Sequence, residues 1–252
     1  MKYSILGTNI DDLNSYRETY ELVLNYLKTQ SKPSYLTVNN VHTVTEGIKD
    51  PEFRKIINNS FLSLPDGKPL SVIGKWKGIK RVDRIFGPTF FEKTLEWGAE
   101  ENLKHYFFGS SGATLEKLKK NVENKFPGIK ISGAYSPPFR EFLMEENDRF
   151  LENINSKEPD IIWVSLGAPK QEKWIYSNFN KINKGIMIGI GAGFDYLSGN
   201  LKHAPAWMKN SSLEWFYRLM QEPGRLLKRY LISNSQFIFY VTLELLGLKK
   251  FN

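Results

Sequence analysis

The chain is expected to fold as an α/β protein: a Rossmann-like, mainly parallel sheet with helices on both faces, followed by a helical, basic C-terminal appendage. Three observations point there. Short apolar runs alternate with amphipathic stretches of helix length over residues 1–197. Several runs empty into glycine turns that open a helix, as at Gly109-Ser110-Ser111-Gly112 and Gly167-Ala168-Pro169-Lys170. Strand signals cease after Asn200, leaving two helical segments that part near Glu222-Pro223. The expected division is therefore 1–197 and 198–252, and a chain of 252 residues suits one sizeable domain with an appendage.

Residues 2–10 read as an edge strand or hairpin arm, and Asp12 to Thr29 as a helix with Leu13, Tyr16, Tyr20, Leu22, Val23 and Leu27 in its apolar stripe. Tyr35 to Val38 is a short strand running into a polar end at Asn39 and Asn40. Asp50 and Pro51, an N-cap followed by proline at the first helical position, begin a helix through Ile57. Phe61 to Leu64 ends in Pro65-Asp66-Gly67, and a helix around Leu70 to Lys77 leads into the basic segment Lys80 to Gly87. Pro88 starts a helix through Trp97. Lys104 to Phe108 is a strand, Ala113 to Phe126 an amphipathic helix, Ile129 to Gly133 a strand, and Glu141 to Asn155 a helix. The run Ile161-Ile162-Trp163-Val164, with Leu166, is almost continuously apolar, which suits a parallel strand covered on both faces. Pro169 is placed to open the next helix. Gly185 to Ile190 is the last strand and runs into Gly191, Ala192, Gly193 and Asp195.

There is no cysteine, which excludes disulfides, thiolate metal sites and cysteine nucleophiles. His42, His105 and His203 have no metal-ligand spacing, so neither a metal nor a cofactor is expected. The start reaches acidic residues before a signal-length apolar segment develops. No run approaches the roughly 20 apolar residues needed to cross a bilayer. A formal charge of +8 points to a polyanionic partner: nucleic acid, a nucleotide or an anionic membrane surface. Much of the excess sits in the tail, at Lys202, Lys209, Arg218, Arg225, Lys228 and Arg229. Basic residues interleaved with aromatics on a sheet, or a reading helix, are not found, so nucleic acid is not expected. Arg225, Lys228 and Arg229 follow i, i+3, i+4 spacing beside apolar residues, a pattern that fits both a helix lying on an anionic bilayer and one packed on the main domain.

Asp66 ends a strand in a Pro-Asp-Gly turn that exposes its carboxylate on the ligand side of the sheet, which makes it the candidate general base. Asp before Gly is also a common turn signal. Asp195 has a similar setting and suits a ribose or sugar hydroxyl. Gly189-x-Gly191-x-Gly193 lacks the spacing of a dinucleotide fingerprint. No Asp-x-Asp pair is present to hold a divalent ion on a diphosphate, which leaves Arg, Lys and backbone N–H groups to neutralise one. Arg81 and Arg84 on one loop and Arg218, Arg225 and Arg229 in the tail are the candidates, each of which also reads as ordinary surface charge.

Together these motifs resemble the WecG/TagA/CpsF family of bacterial glycosyltransferases from about Tyr35 to Phe237. The matching pieces are Thr37-Val-Asn39-x-x-His42, Leu64-Pro-Asp66-Gly67, Asp83-Arg84-Ile-Phe-Gly87, Phe108-Gly109-Ser-Ser-Gly112, Gly167-Ala-Pro-Lys-Gln171-Glu172-x-Trp174 and Gly191-Ala-Gly-Phe-Asp195-Tyr-Leu-Ser-Gly199. The tail adds Ala204-Pro-x-Trp207-Met and Glu214-Trp-x-Tyr-Arg218-Leu-x-x-Glu222-Pro223-x-Arg225-Leu-x-x-Arg229-Tyr230. One departure is Thr89, where the family more often carries an acidic residue.

The resemblance implies an inverting, metal-independent transfer from a UDP-sugar, N-acetylmannosamine first and glucose, glucuronic acid or N-acetylmannosaminuronic acid as the alternatives, to a polyprenyl-diphosphate-linked saccharide. It also implies a role in wall teichoic acid or surface polysaccharide assembly, as a peripheral protein at the cytoplasmic membrane face, with room for a homo-oligomer. Carried over by position, Asp66 is implied as the base, with Thr37, Asn39, Arg84 and Gln171 as catalytic pocket residues. Asp195 and the turns containing Gly109, Ser110, Gly112, Gly167, Ala168, Pro169, Lys170 and Gly191 are implied as donor-binding elements. The appendage is implied to dock on the membrane and to deliver Arg218, Arg225 and Arg229 to the site.

Overall fold

The structure, a computed structural model, describes residues 1–205, 207–208 and 213–251, so Lys209 and Asn252 lie outside the described residues. Strands β1 (Lys2–Ile5) and β2 (Thr8–Asp11) form an antiparallel hairpin. The remaining strands are β3 (Ser34–Asn39), β4 (Leu62–Pro65), β5 (Lys104–Gly109), β6 (Lys130–Tyr135), β7 (Ile161–Ser165) and β8 (Ile186–Gly189). They make a six-stranded sheet, parallel at every pairing, in the order β4-β3-β8-β7-β5-β6. The helices before the tail are α1 (Tyr16–Thr29), α2 (Val41–Lys49), α3 (Pro51–Asn58), α4 (Lys68–Trp76), α5 (Gly87–Glu100), α6 (Gly112–Lys125), α7 (Met144–Lys157), α8 (Lys170–Asn178) and α9 (Gly193–Leu197).

Strand β7 explains its own composition. It lies between β5 and β8, and Ile161, Ile162, Trp163 and Val164 are all fully buried. Trp163 faces one layer, 4.6 Å from the ring of Phe91, with Leu115 and Leu118 of α6 in the same cluster. Ile162 and Val164 face the other layer, against Phe150 of α7 and Trp174 of α8. Both sides are thus covered, as a continuous apolar run requires. His105 is consumed in this core: it accepts from Trp163 Nε1 at 3.2 Å through Nδ1, and burial holds its pKa down at about 4.

Local boundaries differ from expectation where tertiary pairs intervene. Asp12 binds the N-terminal ammonium at 2.6 Å, so α1 starts instead at Tyr16, where Ser15 caps the N–H of Glu18. Arg140 pairs with Glu146, and Glu146 accepts from Leu143 N, which moves the start of α7 from Glu141 to Met144. Pro169 is the residue before α8 rather than its first residue, because its carbonyl is already an acceptor of the helix, from Lys173 N at 3.2 Å.

The tail forms α10 (Glu214–Gln221) and α11 (Pro223–Leu245). Phe237 and Val241 of α11 enter a third apolar cluster with Tyr3 and Ile5 of the hairpin, Val44 of α2 and Leu70 and Ile73 of α4. Each such burial is worth about 1.5–3 kcal/mol. Glu244 then accepts from Leu6 N at 3.1 Å and pairs with Lys77 at 2.7 Å. The inner side of α11 is therefore packed on the main body, while Leu231, Ile238 and Phe239 are exposed.

Candidate active site

The carboxyl edge of the sheet carries the expected residues in two groups. The first lies where β5, β7 and β8 end. Strand β5 connects toward β6 on one side and β7 toward β8 on the other, so the chain reverses between them and a crevice forms at their ends. Gly109 sits there at φ +117°, and a Cβ would run into the carbonyl oxygen of Ser165. Ser110 N donates to that same oxygen at 2.9 Å, and Ser111 caps α6 by accepting from Thr114 N; Gly112 is the first helical residue. Gly167 and Ala168 form the facing turn, and Ser165 Oγ donates to Gly191 O at 2.7 Å. Lys170 is turned outward, donating to Arg140 O at 2.8 Å.

Gln171 and Glu172 are buried behind these turns. Gln171 Nε2 donates to Glu172 Oε1 at 2.8 Å, and Gln171 Oε1 accepts from Gly191 N at 3.1 Å. A Cβ on Gly189 would lie 3.0 Å from Gln171 Nε2, so this close approach depends on glycine there. Glu172 Oε2 finds no hydrogen-bond partner among the described residues. Burial pushes its pKa up to about 7, opposed by the Gln171 hydrogen bond and Arg229. An acid whose folded pKa exceeds its unfolded one keeps a proton that the unfolded chain has released, so its contribution to stability falls as pH rises from about 4.5 to about 7. Glu172→Gln is expected to remove this dependence and to raise the melting temperature at pH 8 relative to wild type. Parallel melting curves of both proteins at pH 5 and pH 8 check it, and an unchanged pH slope in the variant would contradict it.

The second group surrounds Asp66, four strands from the Gly109 turn and so roughly 19 Å across the sheet edge. Asp66 N donates to Asn39 O at 2.8 Å, which fixes the turn after β4. Its Oδ1 accepts from Gly87 N at 2.7 Å, and Arg84 Nε donates to its backbone carbonyl at 2.5 Å. Burial raises the Asp66 carboxyl above the usual range, while Arg84, the Gly87 N–H and Arg218 pull the other way. Arg84 also pairs with Glu214 of α10 at 2.6 Å and lies 4.4 Å over the ring of Phe86. Behind this turn Thr37 and Asn39 are buried: Asn39 Nδ2 donates to Thr37 Oγ1 and to Ser63 Oγ, each at 2.9 Å.

A cleft of about 740 Å³ opens between this turn, α4, α10 and α11. Asp66, Arg84, Arg218 and Arg229 all line it. Arg218 Nε is 3.6 Å from Glu222. Burial, with Arg218 nearby, lowers the pKa of Arg229. His42, whose Nδ1 is 3.2 Å from Ser233 Oγ, is held at about 4 by burial and by Arg229, and is therefore neutral near pH 7. Tyr196 closes one wall, its ring 4.6 Å from that of His203 and tilted 30° to it.

Of the expected site residues, the structure thus brings Asp66 and three arginines to one cleft, and sets Thr37, Asn39 and Gln171 as buried supports. Arg225 is exposed and paired with Glu222 at 2.6 Å, so the basic stripe of the last helix divides, with Arg229 turned inward. Asp195 is half-buried, and burial raises its carboxyl while Asn200 opposes the shift. Sequence reasoning assigned no role to Glu214, Glu172 or Ser233. The available signal was a scarce acid in a basic tail, Glu214, within a motif already quoted. Among the described residues no group of three or more His, Cys, Asp or Glu side chains could hold a metal ion, and no helix is long and apolar enough to cross a membrane.

Comparison with known proteins places this geometry in a class. The profile of the glycosyl transferase WecG/TagA/CpsF family matches residues 3–251, so the protein is a glycosyltransferase. The chain belongs to the WecG/TagA/CpsF family. It is 31% identical over 178 residues to an N-acetylglucosaminyldiphosphoundecaprenol N-acetyl-beta-D-mannosaminyltransferase of Bacillus subtilis (strain 168), covering 71% of this chain and 68% of the relative. A protein of the same description from Bacillus spizizenii is 29% identical over 196 residues, 78% of this chain and 74% of the relative. One from Staphylococcus aureus (strain MW2) is 21% identical over 227 residues, 89% and 87% of the two chains.

Proposed function

We propose that this enzyme transfers N-acetylmannosamine from a UDP-sugar to an N-acetylglucosaminyl-diphosphate-linked polyprenol, with inversion and without a metal, in teichoic acid or surface polysaccharide assembly. The observation that carries the reading is the placing of the Asp66 carboxylate in one cleft with Arg84, Arg218 and Arg229. Oδ1 is held by the Gly87 N–H, which leaves Oδ2 to take the proton of the acceptor hydroxyl. The hydroxyl oxygen forms a bond to the anomeric carbon as the bond from that carbon to the UDP oxygen breaks. The electron pair leaves on the diphosphate, where guanidinium groups offset the growing charge. The relatives' description specifies a beta-linked product, and a donor whose sugar is alpha-linked to UDP reaches it by a single inversion. The Gly109, Gly167 and Gly191 turns, with Asp195, are proposed to seat the nucleotide at the crevice between β5 and β7.

Residues 198–252 are proposed as the appendage that brings the enzyme to an anionic, cytoplasmic membrane face, supported by the exposed Arg225 and Lys228 beside exposed Leu227 and Leu231. The full chain is expected to release UDP from UDP-N-acetylmannosamine in the presence of the lipid-linked acceptor, with turnover retained in excess chelator. Activity only with UDP-glucose or UDP-glucuronic acid would keep the class and replace the sugar. Loss of activity on chelation, restored by a divalent ion, would remove the metal-independent mechanism.

A further inference from the structure

The cleft at Asp66 has two chemically different ends, and both of its helical walls change character in register. On α11 the lining starts at Leu226, is polar over Arg229, Tyr230, Ser233 and Asn234, and is mainly apolar from Phe237 through Ile238 and Val241 to Leu245, a span of roughly 24 Å from Arg229 to Leu245. On α4 it begins with Lys68, directly after the Asp66 turn, and ends at Val72 and Trp76. The two apolar ends meet: Lys77, just past α4, pairs with Glu244 at 2.7 Å, and Ile73 shares a buried cluster with Phe237 and Val241. Thr242 does not interrupt the apolar end, because its hydroxyl donates to Ile238 O at 2.8 Å. Trp76 and Ile238 remain 69% and 65% exposed, so this end opens to the outside.

An occupant complementary to such a cleft carries an anionic group at one end and a long apolar chain at the other, and it must set a hydroxyl near Asp66 beside that anion. A phospholipid without a headgroup hydroxyl satisfies the first two demands and not the third, whereas the saccharide-bearing polyprenyl diphosphate proposed above satisfies all three. We propose that the groove between α4 and α11 is the binding track for the polyprenyl chain of the acceptor, with its diphosphate at the polar end beside Lys68, next to the guanidinium groups that face the UDP diphosphate. The diphosphate meets cations where the cleft is polar, and the first isoprene units lie on Val72, Trp76, Ile238 and Leu245. This assignment rests on the acceptor class proposed above and gives it a path through the protein.

The test uses the full chain and farnesyl diphosphate carrying a terminal photoreactive benzophenone. Covalent label is expected within residues 68–77 and 237–245. Absence of label, label elsewhere on the chain, or equal protection by oleate and by unmodified farnesyl diphosphate would overturn the proposal. A second measurement compares an undecaprenyl acceptor with a short-alkyl acceptor of the same head group. Ile238→Asp, which sets a charge in the track, is expected to lower the wild-type preference in kcat/KM for the long chain by roughly tenfold or more. An unchanged preference would overturn the proposal. If the wild type turned over neither acceptor, the proposed reaction would fail, and the labelling pattern would still decide the groove.

Discussion

Asp66→Asn is expected to fold as the wild type does and to lose about 10²- to 10⁴-fold in turnover at saturating donor, the range over which general-base help operates. The amide keeps the acceptor for the Gly87 N–H, so the turn after β4 is preserved, and it loses the ability to take a proton. The pH dependence gives a second mark. Burial raises the Asp66 carboxyl, so the acidic limb of kcat/KM is expected above the ordinary aspartate value of about 3.9 and is expected to vanish in the variant. A near wild-type rate in a folded Asn variant would take the proton-accepting role away from Asp66. The same measurements on Asp195→Asn would then show whether the other half-buried carboxylate holds it.

Arg218→Ala is expected to cost on the order of 10²-fold in kcat/KM, corresponding to about 2.7 kcal/mol and within the roughly 2–5 kcal/mol for removing one charged partner of a desolvated pair. Arg218 is half-buried, its Nε is loosely ion-paired with Glu222 at 3.6 Å without a hydrogen-bond partner among the described residues, and it acts on Asp66 through space. A guanidinium in that state is available to an incoming anion. Arg218→Lys is expected to recover only part of the loss, since an ammonium does not reproduce a bidentate contact with phosphate oxygens. The comparison is made on acceptor-saturated initial rates. A loss confined to thermal stability, with turnover per folded molecule intact, would make Arg218 a structural residue.

Much of the scaffold was legible because local chemistry and tertiary demand agree there. The continuous run Ile161–Val164 can only be an interior strand, and Gly109 marks a turn where a Cβ has no room. Helix starts at Asp12 and Glu141 were misplaced because ion pairs to Met1 and Arg140 recruit nearby carboxylates. Asp66 was legible from its turn, and Arg84 from its basic loop. Their setting was not: the Arg84–Glu214 pair joins residues 130 positions apart, and His42 meets Ser233 across 191. Spacing along a chain carries no trace of such pairs. The tail illustrates the same limit, since the i, i+3, i+4 pattern groups Arg225 with Arg229, whereas the docked helix leaves Arg225 exposed and sets Arg229 in the cleft lining.

The hydrogen bond from Leu6 N to Glu244 closes nearly the whole chain into a loop, 238 positions long. The β1–β2 hairpin is thus a dock for α11, as Arg84 is for Glu214 of α10. On the roles proposed for Arg218 and Arg229, the sheet and its crevice alone lack the inward cations, and only the docked tail helices complete the cleft.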